Sequence, residues 1–128
     1  MKLRNIQLTL FAFTIALFTS TTAISQNLLQ QNPDPKIEEM AQNRAEKWKD
    51  ELALTTKQTD LIEKKLIEFG MKRERLLQSK MREEAKTERL LRLQTLENKD
   101  MRDILTKPQY ERYIMLLEKE TDQSSGKR

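Results

Sequence analysis

The 128-residue chain contains no cysteine and no histidine. Without cysteine it cannot form a disulfide bond, and we expect no lipoprotein anchor. Without thiolate or imidazole ligands we expect no metal site of the common kinds. Gly70 and Gly126 are the two glycines, too few for a glycine-rich phosphate cradle. Since the usual activated groups are missing, we predict a protein that is not an enzyme and needs no cofactor.

Carboxylates and thioethers are the remaining groups that could carry chemistry. Glu83 and Glu84 could take part in acid-base catalysis, but Arg82 and Lys86 lie beside them, which favours a solvated helix face. Thioethers can bind Cu(I). The methionines after the first residue are spread singly along the chain, so we interpret them as core-filling side chains: Met40, Met71, Met81, Met101 and Met115.

The first 25 residues have the pattern of a secretory signal peptide. A short basic start precedes a mostly apolar run from Ile6 to Phe18, whose 13 residues are too few to cross a bilayer. Ala23 and Ser25 resemble the small residues of a signal peptidase site. We therefore expect cleavage near Ser25, a periplasmic location and no stable membrane insertion after cleavage. An uncleaved anchor is the alternative.

Charged residues are abundant but nearly balanced in sign. Without Lys2 and Arg4, which lie in the predicted signal peptide, 22 basic residues face 20 acidic ones and the net charge falls from +4 to +2. This balance lacks the basic footprint of nucleic-acid-binding proteins, so we expect no nucleic-acid partner. Because charged residues make up 34% of the chain, the core of one small domain will be thin. We therefore expect a homodimer that shares apolar faces.

The apolar spacing predicts an all-α fold, a hairpin-type domain of about four helices. Asp34 as cap and Pro35 in the first turn predict a first helix that runs to about Leu52. The predicted signal peptide, leader, helical domain and disordered tail are residues 1–25, 26–34, 35–120 and 121–128. The last helix should therefore end near Glu120.

The stretch from Ser79 to Thr87 contains no glycine or proline that would mark a break. One unbroken helix from Thr56 to Ile104 would be a rod about 70 Å long at ~1.5 Å per residue. A turn in this stretch would instead let the two halves pack against each other and bury their apolar stripe. We favour the hairpin, and the rod is the alternative.

The frame Leu-Thr-x-x-Gln occurs twice, as LTTKQ and LTKPQ. Threonine three residues before glutamine, at the start of a helical pattern, predicts a capping box, in which the two side chains satisfy orphan backbone N–H groups. Pro108 in the second copy disfavours helical angles at Lys107, so a helix that starts at Pro108 is an alternative. The motif residues are Leu54, Thr55, Gln58, Leu105, Thr106 and Gln109.

Two copies of this motif in a small, exported, charged and helical chain resemble the Spy/CpxP family of periplasmic proteins, which is named in part for its LTxxQ motifs. The resemblance covers about residues 35–120. It implies a thin, curved helical homodimer whose concave face handles clients. The chain differs from the zinc-linked members in having no histidine or cysteine. Its motifs also lie closer together than we expect of the chaperone members.

The stretch from Met71 to Arg92 is the candidate surface for a client or partner. It holds eight basic residues against four acidic ones. Long basic side chains beside apolar ones can form an adaptable surface for unfolded clients or for an acidic partner. A solvated hairpin end is the alternative. The residues that we single out are Arg73, Arg75, Leu76, Leu77, Met81 and Arg82.

Three functions are compatible with these features. The first, which the resemblance favours, is an ATP-independent periplasmic chaperone (holdase) that binds unfolded or damaged envelope proteins during stress. The alternative is a regulatory accessory module that binds a membrane stress sensor or a sigma-factor system. The third is a purely structural helical protein.

Overall fold

Four α-helices make up most of residues 32–126, the part of the chain that the structure, a computed structural model, describes. In chain order they are α1 (Pro35–Leu52), α2 (Thr56–Gln78), α3 (Glu83–Ile104) and α4 (Lys107–Ser125). No strand occurs among these described residues, which confirms the all-α prediction. The predicted signal peptide, residues 26–31 of the leader and residues 127–128 lie outside them.

Helix α1 begins and ends where the sequence pattern predicted. Asp34 Oδ1 accepts a hydrogen bond from the Lys36 N–H at 2.9 Å, and Pro35 occupies the first turn, where its missing N–H is not needed. At the other end Ala53 adopts left-handed angles (φ 52°, ψ 53°) and donates its N–H to the Lys49 carbonyl. This cap turns the chain, and α2 packs back against α1.

A turn separates α2 from α3, which confirms the predicted hairpin and not the alternative of one unbroken rod. Ser79 ends α2 without the help of glycine or proline. Its hydroxyl and its backbone N–H both donate to the Leu76 carbonyl, at 2.6 and 3.2 Å. Its own backbone is extended, with φ −69° and ψ 152°. The chain then reverses, and α2 packs against α1 and against α3.

Helix α4 runs back between α1 and α3 and contacts both. The Tyr113 ring stands edge-on to the Trp48 ring of α1, with centroids 5.2 Å apart. The Tyr113 hydroxyl donates a hydrogen bond to Asn98 Oδ1 of α3 at 2.8 Å. Further along, Glu120 forms an ion pair with Arg44 of α1. Each of the neighbouring helices therefore holds one side of α4.

The core lies where the four helices meet, near the short connections that precede α2 and α4. Its largest side chains are at most 1% exposed: Trp48, Leu52, Ile62, Met101 and Tyr113. By contrast, no residue from Gly70 to Arg92 is buried. We call residues 70–92, the far part of the α2–α3 hairpin, the hairpin arm. It extends away from the core.

Gly70 allows a close approach between α1 and α2. A Cβ atom at this position would lie 2.8 Å from Ile37 Cγ2, so a larger residue would force one helix to shift. An interior glycine costs a helix about 1 kcal/mol relative to alanine. The helix nevertheless continues through it, and the tight contact explains why a side chain is disfavoured here.

Two sequence expectations differ from the structure. Helix α4 continues past Glu120 to Ser125, since neither glycine nor proline interrupts residues 121–125 and Gly126 follows as the C-cap. The methionines are also not all core residues. Met101 is fully buried, whereas Met40, beside the buried stripe of α1, and Met115, across α4 from the buried Tyr113, are 63% and 64% exposed.

Candidate functional site

Both Leu-Thr-x-x-Gln motifs form capping boxes. At the start of α2, Thr55 Oγ1 accepts the Gln58 backbone N–H at 3.2 Å, and Gln58 Oε1 accepts the Thr55 N–H at 3.0 Å. At the start of α4, the equivalent distances are 3.5 Å at Thr106 Oγ1 and 3.0 Å at Gln109 Oε1. The two motifs thus repeat one local geometry.

The residues around each box also follow the prediction. Helix α4 begins at Lys107, so the alternative start at Pro108 is not observed. Pro108 is tolerated because the first turn of a helix has backbone N–H groups without partners in the helix. Leu54 and Leu105 are buried, with 8% and 7% of their surface exposed, and both belong to the core.

The two motif glutamines, 51 residues apart in sequence, hydrogen-bond to each other. Gln58 Nε2 donates to Gln109 Oε1 at 2.8 Å and to the Ile104 carbonyl at 3.1 Å. Gln109 Nε2 donates to Gln58 Oε1 at 3.2 Å and to the Ala53 carbonyl at 3.1 Å. Each glutamine therefore binds the other glutamine and a backbone carbonyl that closely precedes the other motif. We call this pair the glutamine clasp.

The clasp uses the full hydrogen-bonding capacity of both side-chain amides. Each oxygen accepts from its own threonine N–H and from the other glutamine, and each nitrogen donates two hydrogen bonds. Capping alone would accept glutamate as well as glutamine. A carboxylate in the clasp could still accept from the threonine N–H, but it could not donate. Its charge would also face carbonyl and amide oxygens.

We predict that Gln58→Glu lowers the free energy of unfolding at neutral pH by about 2–3 kcal/mol, because it removes two donors and places a charge against acceptors. Thr55→Ala, which removes one cap, should cost about 1 kcal/mol. Urea denaturation followed by circular dichroism measures both. A smaller loss for Gln58→Glu than for Thr55→Ala would contradict the clasp.

Arg73, a predicted client-face residue, lies instead in the α2–α3 interface. Its guanidinium forms an ion pair with Glu97, which is only 2% exposed, and donates to Gln94 Oε1 at 3.1 Å. Gln94 Nε2 donates in turn to Asn98 Oδ1 at 2.9 Å, the same oxygen that accepts from Tyr113. Sequence reasoning missed this network because Glu97 occupies a core position that the pattern alone assigns to an apolar residue.

Burial and ion pairing shift the pKa of two groups near this interface. Desolvation raises the pKa of the Tyr113 phenol to about 12, so it stays a neutral donor to Asn98. Lys65 of α2 lies 2.9 Å from Asp100 of α3, and hydrogen bonds to Asp100 and Glu68 raise its pKa. Both groups keep at neutral pH the protonated forms that these contacts require.

We predict that Arg73→Glu lowers the free energy of unfolding by about 3 kcal/mol or more, because it leaves Glu97 buried beside a second negative charge. Arg82 is the matched control. It is exposed, its nearest acidic partner, Glu84, is 3.8 Å away, and Arg82→Glu should change stability by less than about 0.5 kcal/mol. Thermal and urea unfolding of the two variants test this. Equal stability would show that Arg73 is a surface residue.

The other predicted face residues do not form one continuous patch. Leu77 is 57% exposed, and Arg75 and Arg82 are also exposed, while Leu76 and Met81 are half-buried. Arg75 and Leu77 are two positions apart on α2, about 200° around the helix at ~100° per residue, so they point in opposite directions. The six residues therefore divide between an internal ion pair, an apolar side and a basic side of the hairpin arm.

An open groove of about 350 Å³ lies between α1, α2 and α3. Its apolar lining includes Ile37 and Met40 of α1 with Leu66 and Leu77 of α2, and Arg44 is among its polar residues. Of the residues that line this groove, sequence analysis selected Arg73 and Leu77. Met40 lies three residues after Ile37, on the same helix face, and nothing in the sequence shows that this face stays partly open.

Residues 32–126 contain no cluster of three or more histidine, cysteine or acidic side chains that could hold a metal ion. Among the described helices, none combines the length and the apolar character that crossing a membrane requires.

Comparison with known proteins does not add an assignment. No protein-family model matches the chain, and no curated protein or solved structure is significantly similar to it. The functional argument therefore depends on the two motifs and on the surfaces described above.

Proposed function

We propose that this chain is an ATP-independent chaperone of the periplasm, related to the Spy/CpxP proteins, that shields apolar segments of unfolded envelope proteins. The observation that carries this proposal is the hairpin arm. No residue of the arm is buried, yet Leu77 and Leu91 expose 57% and 66% of their surface. The arm presents apolar surface that the described residues, 32–126, leave exposed.

The exposed leucines of the arm are informative because the arm has no buried core of its own. Single exposed leucines are ordinary on protein surfaces. Here a whole two-helix unit lacks a core, with Phe69 and Leu93 at its base as the nearest buried residues, 2% and 8% exposed. Segments with few buried apolar contacts open locally at low free-energy cost. The arm can therefore adjust its shape to different partners.

The charges on the arm suit the same role. Lys80 and Arg89 are exposed, and Arg92 is paired with Glu88 at 2.6 Å. Long basic side chains offer apolar stems for contact while their charged ends stay hydrated. A surface of this kind binds exposed apolar segments weakly and stays soluble. The homodimer that the resemblance implies is part of the proposal, since a second arm would enlarge this surface.

A second candidate function is a regulatory module that binds the periplasmic part of a membrane stress sensor. The exposed connection between α2 and α3 favours it, because Lys80 and Arg82 lie there side by side with Met81. An acidic sensor surface would complement these charges.

The purified exported protein should slow the aggregation of heat-unfolded malate dehydrogenase without nucleotide, because its arm covers exposed apolar segments. Light scattering measures the aggregation. The variant Leu77→Gln/Leu91→Gln should protect the client less than Leu61→Gln/Leu96→Gln. This control pair is 40% and 53% exposed and lies outside the arm.

Failure to protect the client at several-fold molar excess would contradict the chaperone proposal. Tight binding to one isolated sensor domain, without such protection, would instead favour the regulatory module. Equal protection by both double variants would show that the arm is not the client surface.

A further inference from the structure

The open groove continues a groove that the chain already fills with one of its own helices. Tyr113 of α4 packs between Trp48 of α1 and Asn98 of α3, at 5.2 Å between ring centroids and 2.8 Å between hydrogen-bonded oxygens. Arg44 and Gln94 line both the open groove and the space beside the last turns of α4. The open groove therefore begins where α4 ends.

The lining of the open groove fits an apolar partner. Leu66 is buried at its base, and Met40 and Leu77 stand at its sides, 63% and 57% exposed. Gly70 and Ile37 also line the groove and pack directly against each other. A segment that covered the groove would bury both exposed side chains, which is a favourable change.

The two basic side chains that line the groove are already paired within the chain. Arg44 is paired with Glu120, and Arg73 is paired with Glu97. A strongly acidic partner would compete with these pairs rather than complete them. The groove therefore favours an apolar face over an acidic ligand.

An extended peptide fits this groove poorly. The walls of the groove are helix side chains, and the described residues contain no strand whose edge could pair with a peptide backbone. A helix satisfies its own backbone hydrogen bonds and places side chains at i, i+3 and i+4 in such a groove. Helix α4 shows that α1 and α3 accept a helix between them beside this groove.

We propose that the open groove binds an amphipathic helical segment of an unfolded client. The bound helix continues the direction of α4 and packs against Met40 and Leu77. This inference rests on the proposed function and deepens it, because it assigns one helix-binding site and a conformation of the bound segment. The site includes α1, so it is distinct from general adhesion to the hairpin arm.

The test uses two fluorescein-labelled designed peptides, each added to the purified exported protein. One places leucines along one helical face with glutamine elsewhere, and the other has the same composition with the leucines scattered. The first should bind more tightly and gain helical circular dichroism on binding. Fluorescence anisotropy gives the dissociation constants.

Matched variants locate the binding site. Met40→Gln should weaken binding of the amphipathic peptide about fivefold, and Met115→Gln, equally exposed but outside the groove, less than about twofold. Leu77→Gln should weaken binding by a similar factor, and Leu96→Gln should not. Because all four side chains are at least half exposed, urea denaturation should show unchanged stability for all four variants.

Equal affinities of the Met40→Gln and Met115→Gln variants would overturn the groove assignment, while client protection by the same protein would leave the proposed function intact. Groove-dependent peptide binding without client protection would support the groove assignment and contradict the proposed function. If Met40→Gln instead halved the solution mass measured by light scattering, the occupant would be a second copy of the chain, which also overturns this proposal.

Discussion

The reciprocal hydrogen bonds between Gln58 and Gln109 join two of the three connections between the described helices. One is the connection between α1 and α2, and the other is the connection between α3 and α4. Each glutamine side chain also holds a carbonyl of the opposite connection, at Ala53 or Ile104. The clasp therefore fixes the two helix pairs relative to each other, in addition to capping α2 and α4.

The position of the core follows from this constraint. With the two connections held together, Leu54 and Leu105 enter the same apolar cluster, which also contains Trp48 and Tyr113. All of these residues lie at the clasp end of the molecule. At the other end α2 and α3, with 23 and 22 residues, continue as the hairpin arm without a core of their own. Along α2 and α3, the buried contacts thus lie at the clasp end, and the exposed surface lies on the hairpin arm.

Much of the fold could be predicted from the sequence because local rules decide it. Asp34 with Pro35 and the two Thr-x-x-Gln frames predict the helix starts, and the apolar spacing predicts the all-α class. Contacts between distant segments could not be predicted in this way. Nothing local shows that Gln58 would meet Gln109, or that Glu97 would be buried against Arg73.

The candidate site was predictable only in part for the same reason. A charge pattern identifies basic residues but does not show which of them have an internal partner, so it does not reveal that Arg73 pairs with the buried Glu97. The apolar character of methionine predicts a core position for Met40, although this residue lies beside the buried stripe of α1. Leu77 is predicted correctly as exposed, since it lies in a hairpin that is too thin to enclose it.

The most direct test of the central claim is a double-mutant cycle on the clasp. The free energy of unfolding is measured by urea denaturation for the wild type, for Gln58→Ala, for Gln109→Ala and for the double variant. The clasp predicts that the two substitutions are not additive, with a coupling free energy of about 1 kcal/mol or more. Additive losses would mean that each glutamine acts only in its own capping box, and they would contradict the claim that the clasp joins the two helix pairs.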